Sequence, residues 1–293
     1  MSKNILIPIS VAIALSSCIS NDKRQNVQNV NTEIIGNDSL KNKVEQIKKV
    51  FYELPSPMEL SMLFKEEGIE YQNDKLHPVE KKDIYTISFK KAFNLGVYGA
   101  DLSYAGLFGR HEDALAYFSA AQLLADDLGI GQTFKKKYIL RLEANPNDRD
   151  TLLAVISDFF IENDQYLREE QSQNISTYVL AGGWIEGMHL GANMLVEDTD
   201  RNGIRKVISE QRNSLHNLVL MLSELKDTRQ VQHIIDGIVE LEKEFINIPL
   251  QQDSLLNKTP LGNTLKKDSA LLTDSNIQVI KERISEIRSM IVR

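Results

Sequence analysis

The chain of 293 residues has one cysteine, Cys18, so a single copy can build neither a disulfide framework nor a thiolate metal site. Positive charge is also scarce: 34 Lys and Arg stand against 41 Asp and Glu, a formal net charge of −7, with no basic tract. That balance argues against nucleic acid as a partner and against adhesion to anionic lipid through the protein surface. No segment sustains apolar–polar alternation between turn residues, so a sheet is not expected. The leading apolar run, residues 5–15, is only 11 residues long, well short of the roughly 20 a spanning helix needs. The chain holds no P-loop, no Gly-x-Ser-x-Gly elbow, no His-Glu-x-x-His run and no triad spacing. Gly129-Ile130-Gly131 lacks the third glycine of a dinucleotide fingerprint and follows a helical pattern, so it reads as a turn between helices. No cofactor is implied.

What the amino end does have is an order of segments. Lys3 precedes the apolar run, and Leu15-Ser16-Ser17-Cys18 follows it. This resembles the bacterial lipoprotein signal, whose lipobox is an aliphatic residue, two small residues and a cysteine. The resemblance covers the first 18 residues. It implies cleavage before Cys18, a diacylglycerol on its thiol and an acyl chain such as palmitate on the new amino terminus. Several chains hold a protein on a membrane stably where one does not, so the membrane is the implied partner. Ile19, where an aspartate favours inner-membrane retention in enteric bacteria, points to the periplasmic face of the outer membrane. Residues 1–17 are then a signal peptide. Residues 18–38, polar and Asn-rich, form a tether reaching about 25 Å, and 39–293 the folded domain.

Helical periodicity dominates that domain. Leu40, Val44, Ile47, Phe51 and Leu54 recur at steps of three and four before Pro55. Ile204, Val207, Ile208, Leu215, Leu218, Val219 and Leu222 make a second stripe. Val231, Ile234, Ile235, Ile238, Leu241 and Phe245 make a third, and Ile277, Ile280, Ile284, Ile287 and Ile291 a fourth. Further helices fall near 58–67, 86–108, 112–128, 132–143, 150–170 and 174–196, with 249–272 a surface excursion. The fold class is all-α: one bundle of about eight to ten helices. Two helices, around 92–108 and 177–196, are apolar on most sides and belong at the centre. Ala92, Gly96 and Ala100 in one, and Gly183, Gly187 and Gly191 in the other, form small-residue grooves for close packing.

Those central helices carry the residues with most chemical content. Asp101 and Glu186 sit among apolar neighbours, where an unpaired charge is too costly, with Tyr98, Tyr104, Tyr178 and His189 within reach as partners. The cluster is either a polar pocket for ligand binding or acid–base chemistry, or a hydrogen-bonded device that fixes helix register. Glu186 and His189 also spell Glu-x-x-His, half of a di-iron ligand set, but no second copy exists. Asp198, Asp200 and Asn202, followed by Gly203, open like a calcium loop. The pattern fails at Arg205 and at Ser209, where the bidentate glutamate belongs. An inter-helix turn explains the same residues.

Gly109, Ala114, Phe118 and Ala121 resemble the second half of a tetratricopeptide repeat, which is a helical hairpin; no second unit follows. The chain as a whole resembles small helical envelope lipoproteins of Gram-negative bacteria. These residues favour a binding or structural module at the membrane over an enzyme. A lipid-anchored enzyme or metal binder would use a solvent-connected cavity at Asp101, Glu186 and His189. A helical-hairpin scaffold would need a concave exposed face beside Phe118.

Overall fold

A computed structural model describes residues 54, 56–130, 135–145, 148–169, 172–197, 202–251, 269–270 and 272–293. The lipobox with Cys18, the tether, the first amphipathic stripe up to Phe51, and Asp198 and Asp200 lie outside these residues. The described residues are all-α, with ten helices: α1 (Pro57–Glu66), α2 (Ser88–Leu107), α3 (His111–Asp127), α4 (Lys135–Ala144), α5 (Arg149–Glu169), α6 (Gln173–Glu197), α7 (Asn202–Ser209), α8 (Gln211–Ser223), α9 (Gln232–Asn247) and α10 (Asp274–Val292). Two short 3₁₀ turns, Asn73–Lys75 and Val79–Ile84, lie between α1 and α2. A two-residue antiparallel ladder, Leu250–Gln251 with Ser269–Ala270, is the extent of strand pairing among the described residues. No helix among the described residues is long and apolar enough to cross a membrane.

Local chemistry sets the helix ends. At α1, the Ser56 hydroxyl accepts the Glu59 N–H (3.2 Å) and the Glu59 carboxylate accepts the Ser56 N–H (2.9 Å), with Pro57 as first helical residue. Thr273 and Asn276 repeat this reciprocal cap at α10. Gly109 and Gly129 stop α2 and α3 in left-handed backbone, at φ +69° and +76°. Beyond Gly109, the Arg110 N–H returns to the Ala105 carbonyl (2.9 Å), which satisfies the helix end and starts the turn into α3. The stripe from Ile204 to Leu222 does not form one helix. It divides at Glu210, whose ψ of −9° bends the chain, and both halves stay packed against α6.

α2 and α6 form the centre. Every residue of α2 from Ala92 to Leu107 is buried, and α1, α3, α5 and α10 pack around the pair. The expected grooves divide their work differently from the sequence pattern. The α2–α6 approach rests on Gly96 and Gly182: a Cβ on Gly96 would lie 2.0 Å from the Val179 carbonyl oxygen, and one on Gly182 1.9 Å from that of Phe93. Gly187 and Gly191 instead face α1, against Leu60 and Phe64, and Gly183 sits where Pro57 and Gly96 both come near. The step of four is thus a seat for α1, and Gly182, outside that step, admits α2.

Neighbouring glycines should therefore respond with opposite sign. Gly182→Ala must push two backbones apart and should cost about 3 kcal/mol or more. Gly183→Ala meets only ordinary contacts at 3.4 Å, and its better helix propensity should leave stability unchanged or raised by up to about 1 kcal/mol. Urea unfolding midpoints of the two variants test this contrast.

Candidate functional site

Asp101 and Glu186 come together between α2 and α6, both completely buried. The partner of Glu186 is a residue that its helical neighbourhood does not reveal. Arg288 of α10 donates from Nε to Oε2 (2.5 Å) and from Nη2 to Oε1 (2.8 Å), a bidentate ion pair. Burial alone would push the Glu186 carboxyl up, but the charge and hydrogen bonds of Arg288 outweigh it and hold the group below its ordinary value. Asp101 is the opposite case. Its Oδ2 accepts the His77 backbone N–H (3.0 Å), while Oδ1 has no donor among the described residues. Burial first, and the Glu186 charge next, push the Asp101 carboxyl well above its ordinary value. Of the two facing carboxyl groups, the shift therefore favours the proton on Asp101, because Arg288 compensates Glu186.

The segment between α1 and α2 closes the cluster. His77 is buried, its Nε2 lies 2.6 Å from the Tyr85 hydroxyl, and Tyr85 donates to the Val292 carbonyl at the end of α10. Tyr98 donates to the Pro78 carbonyl (3.0 Å) and its ring lies 5.2 Å from that of His77. Burial pushes the His77 imidazole down to about 4, with Arg288 adding to the shift. Asp101, Glu186 and Tyr98 thus meet here as the sequence groups them, and Arg288, His77 and Tyr85 complete the cluster.

The other residues singled out in the sequence lie elsewhere or act otherwise. Tyr104 holds the loop after α1, accepting the Gln72 N–H and donating to the Glu70 carbonyl, and does not contact the acids. Tyr178 stacks on Phe93, ring centres 4.9 Å apart. His189 is three residues from Glu186, and burial pushes it down to about 4; its hydrogen-bonding neighbour is Asn193. The glutamate of the Glu-x-x-His pair is occupied by an arginine, and no three His, Cys, Asp or Glu side chains converge among the described residues. Asn202 opens α7, and Arg205 binds the Leu272 carbonyl and Asp274, both at 2.7 Å.

Open space lies on a different face. A cleft of about 480 Å³ runs along α3, bounded by α4, the start of α5 and the second 3₁₀ turn. Leu115, Phe118, Leu123, Ile139, Leu142 and Leu152 give it an apolar lining; Lys82, His111, Ser119, Gln122 and Asn145 supply its polar groups. Phe118 meets the rings of Tyr138 and Phe159 edge-on, at 5.9 and 5.4 Å, so the floor is fixed by aromatic packing. Ala114 and Ala121, on the other face of α3, are buried. The concavity beside Phe118 is thus built by α3 with α4 and the start of α5, and no residue of α2 lines it. The sequence shows Leu115 and Leu123 interrupting the polar side of α3, a signal for an exposed apolar strip.

Two outcomes test the proton on Asp101. Asp101→Asn supplies an amide donor toward Glu186 and keeps an acceptor for His77, so it should change stability by less than about 1 kcal/mol. Arg288→Met strands a buried carboxylate and should cost about 3–5 kcal/mol. The pH dependence separates the groups further. Between pH 6.5 and 4 the unfolded chain binds protons at His77 and His189 that the folded chain does not, so stability falls as pH falls. Asp101 acts oppositely in that window, because the folded state keeps its proton. Asp101→Asn should therefore steepen the acid loss by up to about 1.4 kcal/mol per pH unit, and His189→Gln should flatten it. Melting curves at pH 7 and 4.5 measure both slopes.

No protein-family model, no curated protein and no solved structure matches this chain, so the reading of its function rests on the residues themselves.

Proposed function

We propose that this is a lipid-anchored binding protein of the bacterial envelope, tethered through Cys18, with the cleft along α3 as its working surface. The observation that carries this reading is the separation of chemistry from open space. The acids best suited to catalysis are sealed in the core, Glu186 paired with Arg288 and Asp101 bonded through Oδ2 to the His77 N–H, as expected of a device that fixes register. The accessible concavity is apolar with a few polar groups, the pattern of a binding site. Its volume lies within the about 300–1,000 Å³ common for small-molecule sites. The lipobox Leu15-Ser16-Ser17-Cys18 supports the anchor, and Ile19 supports the periplasmic face of the outer membrane. The hairpin-scaffold reading shares the same surface, because the cleft lies on the second helix of that hairpin. An enzyme built on Asp101, Glu186 and His189 has less support, since Glu186 is fully engaged by Arg288.

Two measurements test the proposal. Changing Cys18→Ser should move the protein from the membrane fraction to the soluble fraction; retention on the membrane would refute the anchor. Ser119→Trp, at an exposed position in the cleft, should fill the cavity without disturbing the core. Native mass spectrometry of protein from its own envelope should show a bound species in the wild type that this variant lacks. An empty wild type, or an unaffected variant, would refute the cleft as the working surface.

A further inference from the structure

We infer that the cleft takes a single-chain anionic amphiphile, a free aliphatic carboxylate carrying a hydroxyl far from its head. This rests on the cleft being the working surface. Charge supplies the first step. In a chain with seven more acidic than basic residues, no Asp or Glu is among the described residues lining the cleft, whereas Lys82 and His111 are. Among the described residues Lys82 has a loose pairing with Asp83, at 3.7 Å, and Asp83 is itself largely in water, so its charge is available to a ligand head. Glu112 and Asp113 follow His111 in α3 but do not line the cleft, and Asp113 pairs with Arg110.

Length and lining supply the second step. Along α3 the cleft runs from His111 to Leu123, which at 1.5 Å per residue is about 18 Å, comparable to an extended chain of about twelve carbons with its head. The walls between are Leu115, Phe118, Ile139 and Leu142. A docked helix, about 10–12 Å across with its side chains, asks for a wider trough than about 480 Å³ provides. A thin, flexible chain fits the dimensions.

Gln122 supplies the third step. It is only 6% exposed as a residue and lines both the main cleft and a small adjoining cavity. Its side-chain amide, which can both donate and accept, borders the cleft about 16 Å along α3 from His111. A hydroxyl near the distal end of the chain pairs with it, which sets the polar group of the ligand opposite its head.

Isothermal titration of the full-length Cys18→Ser protein, below micelle-forming concentrations, tests the assignment. 12-Hydroxydodecanoate should bind saturably, one per chain, at least fivefold tighter than dodecanoate. Dodecyltrimethylammonium and acetate should bind at least tenfold more weakly than dodecanoate. Lys82→Glu, at the solvent-facing rim, should weaken both carboxylates at least tenfold, and Gln122→Leu should abolish the preference for the hydroxylated chain; circular dichroism checks that each variant is folded. No saturable carboxylate binding, equal binding of the cationic amphiphile, or no effect of Lys82→Glu would overturn the proposal. So would binding to phosphatidylglycerol vesicles in place of the free acid. If the carboxylates fail while Ser119→Trp still strips a native bound species, this ligand class is wrong and the cleft stands as the working surface. If both fail, so does the cleft.

Discussion

Everything in the core follows from how closely α2 and α6 approach. Their backbones touch at Gly96 and Gly182, with no room for even a methyl group on either. Contacts rise together along both helices, from Phe93 on Tyr178, through Gly96 beside Gly183, to Asp101 near Glu186. The two helices therefore run in the same sense, and the glycine contact fixes the register that sets one carboxyl group against another about a turn further on. Such a juxtaposition is tolerable only if one group is neutral and the other is paired. The raised pKa of the Asp101 carboxyl favours the first condition and the guanidinium of Arg288 meets the second, and α10 is thereby tied to the centre by charge as well as by its isoleucine stripe.

Cations from other elements also finish helix ends. Lys90 of α2 donates to the Ile291 and Arg293 carbonyls at the end of α10. Arg212 of α8 reaches the Phe245 and Ile248 carbonyls at the end of α9. Lys65 of α1 donates to the Leu107 carbonyl of α2. Each places positive charge at the negative end of a helix dipole and satisfies carbonyls that lack helical partners. Because each donor comes from a different helix, the cap also acts as a tertiary clamp. Burial pushes the Lys90 ammonium down, so this clamp operates at some desolvation cost.

The helices were legible because their stripes repeat at helical spacing and their ends carry local signals, as at Ser56, Gly109 and Gly129. The centrality of α2 and α6 was legible for the same reason: neither has a wide polar face. What the pattern could not show was pairing across distance. Arg288 lies 102 residues from Glu186, and its only sequence mark is a charge beside Ile287 and Ile291 on the apolar edge of α10. His77 belongs to a stretch with no period, because its contribution to Asp101 is a backbone N–H, which any residue but proline could donate. The groove of Gly183, Gly187 and Gly191 was visible as a groove, yet spacing alone does not say which helix fills it. The cleft was visible only in part, since its second wall comes from α4.

That division has a physical consequence for binding. α4 is tied to α5 by Lys137 with Glu162, Tyr138 with Glu162, and Arg141 with Asp158. Lys137 and Arg141 both reach water, so these ion pairs contribute little to stability compared with the buried bond between Arg288 and Glu186. α3 is fixed to the core through Ala114, Phe118 and Ala121, and α4 joins the same core through Tyr138 and Leu142, with its screened charges outside. If the cleft takes a ligand as proposed, spreading α4 from α3 would have to break the packing of Tyr138 on Phe118 as well as the screened ion pairs, but would leave the α2–α6 contact untouched.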